Sequence, residues 1–243
     1  MSKLILVRSA ESVWTDEKRF VGWTDIGLSE KGVVDARAAG KMLKDKGIMI
    51  DCAYTSYLKR AIRTLWIMLD EMDLMWIPAT RSWRLNERHY GALEGMKKSE
   101  IIAKYGEEQV QKWRRGYDAK PPALEKDDPR YPSHDIRYKD LNPVNLPKAE
   151  SLKDAMNRAL PMWQQAILPD LRKGKNVVVA AHGNVLRALI KELDNISDDD
   201  IVKLEIPLAI PLVYEFDENF KPVKSYYLGD KKNVETEKKK SRG

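Results

Sequence analysis

The stretch Asn176-Val177-Val178-Val179-Ala180-Ala181-His182-Gly183-Asn184 decides the fold. An apolar run this short, without polar alternation, reads as a parallel strand covered on both faces by helices. It delivers His182, Gly183 and Asn184 at its carboxyl end, and a helical pattern follows from Leu186 to Leu193. Working outward, Leu4 to Val7 is a second run of the same kind, and Arg8 and Ser9 lie just beyond its end. Sites in such sheets form in the crevice outside the carboxyl ends of the strands, so Arg8, Ser9 and His182 are expected there together.

The intervening sequence alternates between the two periodicities. Ser29 is a plausible N-cap for a helix whose Ala36, Ala39 and Leu43 share a face and which Gly47 stops. Cys52 to Thr55 reads as a strand that runs into a helix striped by Ile62, Leu65, Trp66 and Leu69. Lys59 and Arg60 fall near the start of that helix, the end that favours anions. Met75 to Ile77 is expected to be a third strand closed by Pro78, and Ser99 to Trp113 one or two helices broken near Gly106. Lys120 to Pro147 is rich in Pro, Asp, Lys and Tyr without periodicity, too long for an ordinary connection, and suggests a lid-like excursion. Ser151 with Asp154 then opens another helix in capping-box fashion. The expected architecture is α/β: a three-layer sandwich, a mostly parallel sheet with helices on both faces. One domain over 1–230 is expected, followed by a basic, flexible tail over 231–243.

Hydrophobic residues make up 43% and charged residues 33% of the 243, and no apolar run approaches the roughly 18 to 20 residues that a bilayer span needs. The opening residues carry no small-residue cleavage site, so no secretory signal is expected. Cys52 is the single cysteine; it is compatible with a reducing cytoplasm and excludes an internal disulfide. The net charge of +6 hints at nucleic acid, yet Lys231 to Gly243 holds six basic and two acidic residues, so most of the excess is in the tail. Such a tail is ordinarily a solvated end; contact with a phosphate or an anionic partner is the other reading. Without aromatic interleaving or a recognisable module, nucleic-acid binding is disfavoured.

Arg8, Arg60, Arg114, Arg115 and His182 all fall at element ends or in loops, from which side chains converge. Guanidinium forks match phosphate and carboxylate oxygens bidentately, so an acidic phosphorylated metabolite suits them. Glu87, within WRLNERHYG, is the candidate proton donor or acceptor, since a hemmed-in carboxylate can be tuned toward neutrality. A salt bridge to Arg84 or Arg88 is the alternative.

The stretches FVGWTDIGLSEKG (Phe20 to Gly32), AYTSYLKRAIRTLWIMLDEMDLMW (Ala53 to Trp76), SWRLNERHYGAL (Ser82 to Leu93), KYGEEQVQKWRR (Lys104 to Arg115), AAHGN (Ala180 to Asn184) and IPLVYEFDEN (Ile210 to Asn219) resemble the 2,3-bisphosphoglycerate-dependent phosphoglycerate mutases of the histidine phosphatase superfamily. The resemblance runs from Lys3 to Asp230. It implies a glycolytic isomerase that interconverts 3-phosphoglycerate and 2-phosphoglycerate through a phosphohistidine, primed by 2,3-bisphosphoglycerate, without a metal. It further implies that Arg8, Gly22, Arg60, His182, Gly183 and Asn184 cradle the transferring phosphoryl group and that Glu87 is the general acid/base. Tyr90, Lys98, Arg114 and Arg115 would hold the outer end of the substrate, and the basic tail would fold over the mouth. A cytoplasmic homo-oligomer is implied as well, with phosphorylated three-carbon acids as partners and neither nucleic acid nor membrane.

The strand-end motif of that family is Arg-His-Gly-Glu, whereas this chain reads Arg8-Ser9-Ala10-Glu11. Imidazole is a good nucleophile near pH 7 and its phosphoramidate passes the phosphoryl group on; a serine hydroxyl needs a base, and its ester is far more inert. Thr15, Val21, Val185 and Leu208-Ala209 also replace the family's Asn, Thr, Ser and Thr-Gly, which reads as erosion of the phosphate pocket. Ala10 costs backbone freedom if a positive φ is needed there. The resulting expectation is a phosphoglycerate-binding pseudoenzyme, crippled at Ser9 and with 2,3-bisphosphoglycerate priming lost. The alternative is an active mutase with a compensating acceptor or an engineered residue 9.

Overall fold

In the computed structural model, which describes residues 2–242, the apolar runs become the centre of a six-stranded sheet. The strands are β1 Lys3–Arg8, β2 Cys52–Thr55, β3 Ala79–Arg81, β4 Val177–Ala181, β5 Leu212–Phe216 and β6 Pro222–Tyr227. The helices are α1 Val13–Asp16, α2 Glu30–Asp45, α3 Lys59–Glu71, α4 Lys98–Tyr105, α5 Glu107–Arg115, α6 Leu152–Met162, α7 Leu168–Arg172, α8 Gly183–Leu193 and α9 Lys231–Arg242. Strand order is β3-β2-β4-β1-β5-β6. The first four strands in that order are parallel, while β5 and β6 complete the sheet antiparallel.

Alternate residues of the apolar strands serve opposite layers, which is why these strands are not amphipathic. Leu4, Leu6, Val177 and Val179 pack beneath α6 and α8, together with Trp163, Leu186 and Leu189. Ile5, Val7, Val178 and Ala180 face the other way, against Ala36, Ala39 and Leu43 of α2 and Leu65, Met68 and Leu69 of α3. Each fully buried aliphatic side chain contributes about 1.5–3 kcal/mol to the folded state. At Gly40 a Cβ would lie 2.7 Å from the Met68 carbonyl oxygen, so glycine is what lets α2 and α3 approach. The three-layer α/β reading holds, as do the Ser29 cap, the Ser151–Asp154 capping box and the helix break at Gly106.

Three expectations are corrected. The third strand lies at Ala79–Arg81, after Pro78 rather than before it. Met75 to Ile77 is a turn that buries Leu74 and Ile77 and leaves Trp76 77% exposed; the Pro78 carbonyl accepts from Ala53 N at 2.9 Å and starts the strand. Helix α8 begins at Gly183, three residues earlier than its apolar stripe indicates, with His182 as N-cap. The segment expected to be a flexible tail is helical: Asp230 accepts from the N–H of Asn233 at 2.8 Å at its start, and Val234 is buried.

Residues 120–147 carry three short 3-10 turns and are anchored by aromatic packing. Tyr131, Tyr138 and Leu146 bury themselves with Trp23 and Trp83, the Tyr138 hydroxyl accepts from Asn86 Nδ2 at 2.8 Å, and Arg137 pairs with Asp25 at 2.8 Å. The excursion therefore buttresses the segments around Trp23 and Asn86. Tyr138→Ala is expected to lower unfolding stability by about 3 kcal/mol, read from urea denaturation; an unchanged midpoint would mean that this segment is not packed onto the body.

Candidate active site

Parallel register brings the strand ends together. Arg8 pairs with Ala181, and Thr55 with Ala180; one residue further on, Ser9 N donates to the Ala181 carbonyl at 2.7 Å. Ser9, Ser56 and His182 thus leave the sheet side by side. The Ser56 hydroxyl lies 2.8 Å from His182 Nε2 and accepts from Leu58 N at 3.1 Å. Burial, followed by Arg60, Arg158 and Arg8, holds the His182 pKa well below the usual imidazole range, so the ring is neutral at pH 7.

Arg8 and Arg60 flank this point. Arg8 Nη1 donates to the Ile206 carbonyl at 2.7 Å, and a Cβ on Gly183 would come within 3.1 Å of Arg8 Nε, so glycine lets the guanidinium approach the first turn of α8. Arg60, in the first turn of α3, donates to the carbonyls of Thr24 and Gly22 at 3.0 and 2.7 Å. The segment it grips is shaped by a residue that the sequence reading missed. Glu94, 3% exposed, accepts from the N–H groups of Trp23, Thr24 and Tyr90 at 3.0, 3.2 and 3.0 Å. Gly22 has φ +55°, and a Cβ there would stand 1.8 Å from Glu94 Oε1.

Glu87 forms no ion pair with Arg84 or Arg88. Its carboxylate accepts from Arg88 N at 2.8 Å and from Asn184 N, at the start of α8, at 3.1 Å, while Arg84 lies over the Trp83 ring and Arg88 turns toward Tyr90. Tyr90 is set up as a donor. Its oxygen accepts from Arg88 Nη2 at 2.9 Å and Asn184 Nδ2 at 3.2 Å, which fills both lone pairs and leaves the hydroxyl proton for an anion. Burial raises its pKa, but Arg88 and Arg114 outweigh that and bring it below the ordinary phenol value.

All of the sequence-predicted residues line one cleft of about 110 Å³: Arg8, Ser9, Gly22, Arg60, Glu87, Tyr90, Lys98, Arg114, Arg115, His182, Gly183 and Asn184. Arg19, Arg187 and Glu205 join them; Glu205 pairs with Arg115 at 2.9 Å. Arg187 had a signal in the sequence, a lone cation inside the apolar run Val185 to Ile190. Glu94 and Glu205 had none, because only the folded chain brings their partners near. Thr15, Val21 and Leu208 do line the cleft, whereas Val185, on α8, is buried in the core and is not part of the lining. Strain is absent at Ala10 and falls instead on Ala209, at φ 49°, whose N–H donates to the Arg8 carbonyl at 3.0 Å. No cleft-lining residue comes from 120–147 or from the described side chains of α9.

Fold and cleft together define an α/β protein with a cation-lined cleft where parallel strands end at a helix N-terminus. The chain belongs to the histidine phosphatase superfamily, branch 1, whose family model matches residues 4–228. Among solved structures it is similar to a mycobacterial glucosyl-3-phosphoglycerate phosphatase (TM-score 0.70, 19% identity, covering 93% of this chain and 97% of that one). It is also similar to YhfR of Bacillus stearothermophilus (TM-score 0.68, 25% identity, 91% and 94% covered). The alpha-ribazole phosphatase of Shigella flexneri aligns with TM-score 0.64 at 16% identity, over 91% and 94% of the two chains. Among the described residues no helix is long and apolar enough to cross a membrane.

Two outcomes follow from this geometry. Gly22→Ala is expected to displace Glu94 and lower stability by on the order of 2 kcal/mol, with anion affinity lost alongside; calorimetry on the variant reads both. Burial, then Arg114, Arg8 and Arg115, pull the Lys98 pKa down to about 7, so an anion beside it favours the charged form and binding takes up a proton. Affinity for a phosphate monoester should weaken from pH 7 to 9, by at most about tenfold per unit, since the ester's own second ionisation near pH 6 is then complete. Lys98→Met should flatten that titration-calorimetry profile.

Proposed function

We propose that this chain binds phosphorylated three-carbon acids, 3-phosphoglycerate and 2-phosphoglycerate, in the cleft and is catalytically crippled toward them. One observation carries the reading. Ser9 follows the end of β1, between Arg8 and the His182-Gly183 turn, at the position where the mutase resemblance calls for the nucleophilic histidine. Among the described residues its hydroxyl makes no hydrogen bond to a base; His182 Nε2 is bonded to Ser56, and Glu87 accepts from two backbone N–H groups. An unactivated serine hydroxyl is a poor phosphoryl acceptor at neutral pH.

The ligand class is supported by charge and by spacing. Arg8, Arg60 and the first turn of α8 suit a dianionic phosphate at the inner end, and Lys98, Arg114 and Arg115 suit a carboxylate or second phosphate at the outer end. These cations also fit 2,3-bisphosphoglycerate, which this reading takes as a ligand of the cleft rather than as a phosphoryl donor. The proposal extends to a cytoplasmic homo-oligomer without metal, nucleic-acid or membrane partners. Phosphate-ester hydrolysis, named for two of the similar solved structures, would meet the same serine.

A coupled assay of 3-phosphoglycerate conversion with 2,3-bisphosphoglycerate present, run beside p-nitrophenyl phosphate hydrolysis, tests this on the chain and on Ser9→His. Both rates are expected near background for the chain, with 3-phosphoglycerate binding retained in titration calorimetry, and a gain in either rate for Ser9→His. Turnover by the unaltered chain at about 1 s⁻¹ or faster, within the ordinary enzyme range, would refute the crippled reading in favour of an active mutase or phosphatase with another acceptor.

A further inference from the structure

We propose that Arg187 is a positioning residue which, with Arg88, fixes the spacing between the inner and outer ends of the cleft. The inference rests on the reading above that the cleft takes an anionic group at each end. Arg187 is on α8, four residues after Gly183, and is only 2% exposed. Among the described residues no carboxylate pairs with it; its donors go to Asn184 and to backbone carbonyls. Nη1 reaches Asn184 Oδ1 at 3.0 Å and the Arg114 carbonyl at 3.5 Å, and Nη2 reaches the carbonyls of Arg115 and Ile201 at 2.9 and 2.7 Å.

Arg114 and Arg115 are the last residues of α5, and carbonyls in a final helical turn have no partner within the helix. Arg187 therefore caps the helix that carries the outer cations from a position on the helix that opens at the inner end. Arg88, fully buried, does the same from another side, with Nη2 donating to the Arg114 carbonyl at 2.8 Å and to the Tyr90 hydroxyl at 2.9 Å. Asn184 Nδ2 to Tyr90 closes the ring at 3.2 Å. The negative end of α5 accommodates two guanidinium groups that have no carboxylate.

Ordinary structural stabilisation does not call for this arrangement. Among the described residues Arg187 Nε and Arg88 Nε and Nη1 have no hydrogen-bond partner, and a buried cation without a counter-ion is costly enough that apolar packing is commonly no worse for stability. What an apolar side chain or a lysine lacks is a rigid fork able to hold Asn184, the end of α5 and Ile201 at once. The ring also sets Asn184 with its oxygen toward Arg187 and its amide toward Tyr90, which leaves the Tyr90 proton to the cleft.

The test compares titration-calorimetry affinities for 3-phosphoglycerate and for inorganic phosphate, a probe that needs only one end, on the full chain, Arg187→Lys and Arg88→Lys. In the unaltered chain 3-phosphoglycerate should bind more tightly than phosphate. Arg187→Lys should cut that preference by about 10- to 100-fold, the scale of a lost hydrogen bond to a charged group, with 3-phosphoglycerate losing more affinity than phosphate by that factor. Equal losses for both probes, or no loss, would overturn the positioning role and leave the cleft reading intact. No preference in the unaltered chain would overturn the two-ended reading and this inference with it. Should Arg187→Lys fail to fold by near-UV circular dichroism, Arg88→Lys reads the same ratio through the same ring.

Discussion

Everything at the site depends on the in-register parallel pairing of β1 with β4. Because Leu4 lies opposite Val177 and Arg8 opposite Ala181, the two strands end together, and Ser9 and His182 leave the sheet as neighbours although they are far apart in sequence. A slip of one residue would exchange the faces of β1, sending Leu4 and Leu6 to the α2–α3 layer and Ile5 and Val7 to the α6–α8 layer. The same burial that makes these strands unbroken apolar runs therefore fixes the geometry of the cleft. The antiparallel β5 and β6 complete the sheet on the far side of β1, and the segment before β5 adds Glu205, Ile206 and Leu208 to the cleft.

On this frame the protein gathers positive charge that it neutralises only in part. Arg60 is held by the carbonyls of Gly22 and Thr24, Arg8 by that of Ile206, and Arg88 and Arg187 by the end of α5. Carbonyls orient a guanidinium without cancelling its charge, so the cleft keeps a strong potential for an anion. The carboxylates present have structural or positioning partners: Glu205 pairs with Arg115, and Glu94 organises the segment from Gly22 to Thr24. Burial first, then the neighbouring cations Arg88 and Arg115, pull the Arg187 guanidinium down to about 9. Val21 and Leu208 add apolar surface to the same lining, beside the cations.

Much of this was legible in the sequence because it rests on local rules. The strand runs, the Ser29 and Ser151 caps, the Gly106 break and the grouping of Arg8, Arg60, Arg114, Arg115 and His182 at element ends all come from periodicity and capping chemistry. Where the local signal was ambiguous, tertiary packing decided. The apolar trio at Met75 to Ile77 looks like a strand, yet it is a turn because burying Leu74 and Ile77 anchors the approach to β3. The residues from 120 to 147 look unstructured because their order comes from distant aromatic partners, Trp23 and Trp83. The basic tail has little helical signal of its own, and Val234 ties it to the body.

By itself the sequence determined the α/β class, the strand ends at which the cleft lies, the cationic residues gathered there and the serine at position 9, since each follows from residue type and short-range spacing. The tertiary structure alone decided which carboxylates act as struts, that Gly22 must be glycine because Glu94 fills the space of its side chain, and that Arg187 spans two helices. Those facts depend on distances between residues tens of positions apart, which the periodicity of a chain does not encode.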